Sequence, residues 1–134
     1  MSGLRSSRKV TQALLALTLI GGVACGSGES SEKKSTVPEA ARAEASQLFS
    51  TRCAACHGPQ GRGDGAASAS LSPKPANVTD AAWHTKVTDE HIEKIIQYGG
   101  SAVGKSPAMP GNPDLTSKPD VVAGLREHIR GLKL

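Results

Sequence analysis

Apolar residues recur at helical spacing in two stretches of this 134-residue chain, and a third stretch is rich in alanine. From about Thr88 to Tyr98, Ile92, Ile95 and Ile96 form one stripe. Thr88 is placed to cap the first turn, Asp89 and Glu90 suit the positive end of a helix, and Gly99-Gly100 stop it. From about Pro119 to Leu132, Val122, Leu125, Ile129 and Leu132 share one face. From about Pro38 to Arg52 the chain opens on a proline, is alanine-rich, and ends near Leu48 and Phe49. Between these helices, the glycine-rich run Gly58 to Gly65 and the proline-rich run Ser106 to Pro113 read as wrapping loops. Strand-like alternation is scarce and there is no internal repeat, so the fold class is all-α.

A fourth apolar run has a different character. Ala13 to Ile20 is interrupted only by Thr18, follows the basic residues Arg5, Arg8 and Lys9, and precedes the small residues Gly21-Gly22-Val23-Ala24. It is well short of the ~20 residues a membrane span needs. This is the pattern of a secretory signal, which puts the mature chain outside the cytoplasm. Gly22-Val23-Ala24-Cys25-Gly26 resembles the lipobox of bacterial lipoproteins, with Gly22 where leucine is usual. That resemblance makes Cys25 the lipidated N-terminus and the means of membrane attachment. An unmodified thiol at an exposed terminus would be open to oxidation. The expected organisation is a signal at 1–24, a flexible tether at 25–37 that is poor in apolar residues, and a folded domain at 38–134.

Charge then excludes a partner class. Of 16 Lys+Arg, three leave with the signal, so 13 face 12 Asp+Glu in the mature chain. With one Phe, one Trp and one Tyr and no arginine-rich stripe, nucleic-acid binding has no support. A nearly neutral, monomeric protein that meets its partners through a local patch is expected.

The chemistry concentrates in Cys53-Ala54-Ala55-Cys56-His57. Two thiols three positions apart, followed at once by an imidazole, are what covalent attachment of a c-type haem requires: two thioethers to one porphyrin edge and a proximal iron ligand. A zinc site would need a second Cys or His pair of similar spacing, and the remaining cysteine, Cys25, lies in the targeting segment. A thioredoxin-like dithiol would follow a strand, whereas Cys53 follows a helical pattern. A sixth, thioether ligand can come only from Met109, because the other methionine, Met1, leaves with the signal. Met109 stands in Pro107-Ala108-Met109-Pro110, where flanking prolines present it from a loop. The other histidines read as surface or packing residues: His91 on a solvated turn, His128 as a helix contact, and His84 in a loop after Trp83.

The succession of helix, C-x-x-C-H, glycine-rich loop, Pro75-Ala76-Asn77-Val78, central helix, Met109-Pro110 loop and terminal helix resembles the class I monohaem cytochromes c of bacteria, over residues 37 to 134. The resemblance implies three to four short helices wrapped around one covalently attached haem. Cys53 and Cys56 would be the thioether residues, and His57 and Met109 the axial iron ligands. It also implies a proline carbonyl that accepts the second ring N–H of His57, for which Pro75 is the best match and Pro73 the alternative. In that family the first helix crosses the last, with Phe49 and Ala45 at the crossing against a Leu-x-x-Tyr pair. Leu125 matches that pair, but His128 replaces the tyrosine. Trp83, the one tryptophan, fits either the haem edge or core packing.

With both axial positions taken, the implied role is a one-electron carrier and not an enzyme, shuttling between extracytoplasmic redox proteins through short-lived contacts. His/Met ligation in an apolar wrap implies a comparatively high potential. Two other roles fit the same residues: a fixed haem subunit of a larger oxidoreductase, and a ligand-binding sensor or peroxidase if Met109 leaves the iron.

Overall fold

The computed structural model describes residues 35–134, which form a single unit with no strand. The signal, the lipobox and Cys25 lie outside the described residues. No helix among those described is long and apolar enough to cross a membrane.

The first helical body is longer than its pattern predicts. Helix α1, Glu39–Leu48, passes into a π turn, Phe49–Cys53, and then into α2, Ala54–His57. Two hydroxyls donate back into the preceding turn, Ser50 Oγ to Ser46 O at 3.0 Å and Thr51 Oγ1 to Gln47 O at 2.9 Å. Such back-bonding loosens a helix, and here the Ala54 N–H reaches Phe49 O, five residues back. The widened turn carries the helix through the haem motif, so His57 ends it and Gly58, at φ 78°, lets the chain leave.

Helix α3, Ala81–Lys86, was not anticipated and places His84 on a helix. At six residues it is too short to show a period. Its one sequence cue is Asp80, whose side chain accepts from Ala82 N at 2.8 Å. Helix α4, Asp89–Tyr98, starts as its sequence predicts: Thr88 Oγ1 accepts from His91 N at 3.2 Å. Helix α5, Pro119–Gly131, matches its prediction to within a residue. Short 3-10 turns fill parts of the loops at Ala66–Ser70, Gly100–Val103 and Pro113–Leu115.

The core forms where α1 crosses α5. Ala45 and Phe49 are buried on one side, and Val121, Val122 and Leu125 on the other, with Ile92 and Ile96 of α4 completing it. The crossing is close because both helices present small residues. A Cβ added at Gly124 would lie 3.1 Å from both Ala41 O and Ala45 Cβ. Ala45 was expected at this contact; its partner Gly124 was not. His128 packs on Phe49 with ring centroids 4.6 Å apart, so an aromatic contact persists without the tyrosine.

Packing also reaches into the stretch read as tether. Val37 belongs to the core, and Ser35 Oγ donates to both Glu127 oxygens at 2.9 and 2.7 Å. At the N-terminus of α4, Asp89 pairs with Arg126 at 2.9 Å and with Arg130 at 2.7 Å, joining α4 to α5. Arg130 also donates to His84 O at 3.0 Å and to Val87 O at 2.6 Å, which fixes α3 on the same face.

Candidate haem site

Beneath the helical crossing lies a cavity of about 690 Å³. That falls within the roughly 300–1,000 Å³ of pockets that enclose small organic molecules. Cys53, Cys56 and His57 line it from the first helical body, and Met109 lines it from a loop more than fifty residues later. Ile92, Ile95 and Ile96 of α4 and Leu125 and Ile129 of α5 supply apolar walls, and Pro75 and Trp83 line it as well. All the expected haem-site residues, Cys53, Cys56, His57, Met109, Pro75 and Trp83, therefore line one space.

The thiols of Cys53 and Cys56 are free and half-buried. Burial pushes the Cys53 thiol up from its ordinary value, against the opposing pull of the Arg52 guanidinium. His57 is oriented through its other ring nitrogen: Nδ1 lies 3.3 Å from Ala76 O. A backbone carbonyl only accepts, so Nδ1 carries the proton and the Nε2 lone pair is left for a metal. Burial lowers the imidazole's proton affinity, partly offset by this hydrogen bond, and so favours the neutral ring that ligation needs.

The accepting carbonyl belongs to Ala76, one residue beyond the expected Pro75. Pro75 O is turned to Gly63 instead, where an added Cβ would sit 2.5 Å away. Gly63, at φ 77°, therefore lets the glycine-rich loop pack its backbone on Pro75, which leaves the next carbonyl for His57. The same loop closes on the motif through Gly63 N to His57 O at 2.7 Å and Gly65 N to Cys56 O at 3.1 Å.

Met109 is half-buried and held by its backbone, with its carbonyl accepting from Gly100 N at 2.9 Å. Three residues on, Asn112 donates from its backbone to Gln97 O at 2.9 Å and from Nδ2 to Ile96 O at 2.8 Å. The loop thus lies against the C-terminal end of α4. Trp83 presents its ring to the cavity, with the Arg130 guanidinium 6.0 Å from the ring centroid. Sequence reasoning passed over Ala76, Asn112 and Arg130. Ala76 stands next to the proline expected in its place, Asn112 and Arg130 belong to no motif, and each acts through a contact with a distant segment.

The family model for cytochrome c matches residues 42–133. The chain belongs to the cytochrome c family. Comparison with curated proteins finds no match. Proteins of this family carry haem c, bound covalently, and the residues present fit that group: two free thiols at attachment spacing, a neutral imidazole with its second nitrogen already engaged, and an apolar cavity large enough for a flat macrocycle. Cytochromes c are generally electron carriers rather than enzymes, and haem binding and electron transfer are what this member of the family is built for.

Proposed function

We propose that this cytochrome c is a class I monohaem one-electron carrier with His57 and Met109 as axial ligands and Cys53 and Cys56 as thioether attachments. The observation that carries the reading is the convergence of Cys53, Cys56 and His57 with Met109 on one cavity. The bound haem supplies an iron that cycles between ferric and ferrous states. The protein's part is to hold that iron on both sides and to keep water away. A neutral imidazole and a thioether inside apolar walls favour the ferrous form, which supports a comparatively high potential. Occupied axial positions leave no place for a substrate, so the protein is read as a carrier and not a catalyst.

The signal-like N-terminus supports an extracytoplasmic, periplasmic location, and the lipobox-like run supports lipid attachment at Cys25 to a membrane. Partners are redox proteins met one at a time as donor and acceptor, with the carrier itself monomeric.

The test is the optical spectrum of the haem-loaded protein, oxidised and reduced, beside Met109→Ala. Wild type should show the weak ferric charge-transfer band of a thioether–iron bond. The variant should keep covalent haem, lose that band, bind carbon monoxide when reduced and have a lower potential. A variant with the wild-type ligand spectrum would show that another residue holds the sixth position.

A further inference from the structure

Arg52 stands between the two segments that reach the cavity from opposite ends of the sequence. It immediately precedes Cys53, and its Nη1 donates to both Asp114 carboxylate oxygens at 3.0 Å and to Asn112 Oδ1 at 3.3 Å. Asn112 is the residue whose backbone and side chain fasten the Met109 loop to Ile96 and Gln97 on α4. The loop is held on the α4 side by contacts that tolerate no side chain: a Cβ at Gly99 would lie 2.8 Å from Gly111 N, and one at Gly111 would lie 2.7 Å from Gln97 O. From the haem-attachment helix, Arg52 is what reaches the loop. Arg52 also lines the cavity.

We propose that Arg52 is a positioning residue for the sixth ligand: through Asn112 and Asp114 it holds the Met109 loop in register with the helix that carries Cys53, and so sets how readily Met109 is displaced. The inference rests on Met109 being that ligand. An incoming ligand can take the sixth position only if the Met109 loop yields. The bridge stabilises the docked loop and has nothing to hold once the loop has moved away. The ion pair is partly exposed, with 44% and 51% of the two side chains accessible, so its effect is modest. An exposed pair of this kind corresponds to roughly a two- to five-fold change in a displacement equilibrium. Covalent attachment, which depends on the two thiols, does not involve the bridge.

The experiment titrates the ferric, haem-loaded protein with imidazole and follows loss of the thioether–iron charge-transfer band. Arg52→Gln and Asp114→Asn should each lower the half-saturating imidazole concentration roughly two- to five-fold, and the double variant should go no further than either alone. Arg52→Lys should recover much of the wild-type resistance. Lys118→Gln breaks the Lys118–Glu44 pair, which at 2.8 Å and similar exposure is a matched control away from the Met109 loop, and it should titrate like wild type. Wild-type titration by both Arg52→Gln and Asp114→Asn would overturn the inference, as would equal loosening by Lys118→Gln. Absence of the band in wild type would remove the Met109 assignment, and this inference with it. An intact band with unchanged titrations removes only the role of Arg52.

Discussion

His128 carries a cost that the structure makes visible. Its ring packs on Phe49, and its Nε2 is buried without a protein partner. Burial lowers its affinity for a proton below the ordinary imidazole value of 6.5. Above that pH the ring is neutral whether folded or unfolded and contributes no pH dependence. Below it the unfolded chain takes up the proton first, so stability should fall as pH drops, until the folded ring also titrates. His128→Phe keeps the contact with Phe49 and removes the titration, so its melting temperature should vary less with pH as pH falls below 6.5 than that of wild type. Thermal melts of the haem-loaded proteins across that window would test this, and identical profiles would place the titration elsewhere. His57 shows what a single residue reveals in the sequence: its place after Cys56 names it, but the carbonyl that orients it is a matter of loop packing.

At the level of elements, the α1–α5 crossing and the α4–α5 ion network hold the scaffold by different physics. The crossing depends on close approach, so a branched side chain at Gly124 has nowhere to go. Gly124→Val should destabilise the haem-loaded protein by roughly 1–3 kcal/mol, the usual range for an overfilled contact, measured by denaturant unfolding. The ion network depends on charge. Asp89 is held below its ordinary value of 3.8, chiefly by the hydrogen bond from Arg130 and further by the Arg126 charge. That stability is present above pH 3.8 and is lost as pH falls through the folded-state value. Asp89→Asn should therefore flatten the acid limb of the stability profile below about pH 3.8, a window separate from that of His128. Helices α4 and α5 were legible because their periodicity runs over ten or more residues and their caps are strong. Helix α3 was not, because six residues hold too few turns for a pattern to stand out from chance.

For the whole described unit, the cavity and the core cannot be separated. Ile92 and Ile96 belong to both, and the buried core besides them is short and includes two alanines. At roughly 24 cal/mol per Å³, a dry void of this size would cost on the order of 15 kcal/mol, as much as the entire 5–15 kcal/mol by which small domains are stable. The chain without haem must therefore flood or collapse. Cys53→Ser together with Cys56→Ser, produced without covalent haem, should lose most of the helical circular dichroism of the loaded protein and unfold without a sharp transition. A native-like cooperative melt in that variant would show that the polypeptide alone supplies the fold.

The haem-attachment motif and the main helices could be read from local sequence pattern. The spacing of Cys53, Cys56 and His57 is local, the proposal of Met109 rests on there being no other methionine beyond the signal-like segment, and helical periods repeat within ten to fifteen residues. That Ala76 orients His57, that Gly124 sets the depth of the crossing, that α3 exists and that Arg52 reaches the Met109 loop could be seen only once the chain had folded. These contacts join residues far apart in the chain, each with many possible partners, and the selection among them is made by backbone packing after the helices have met.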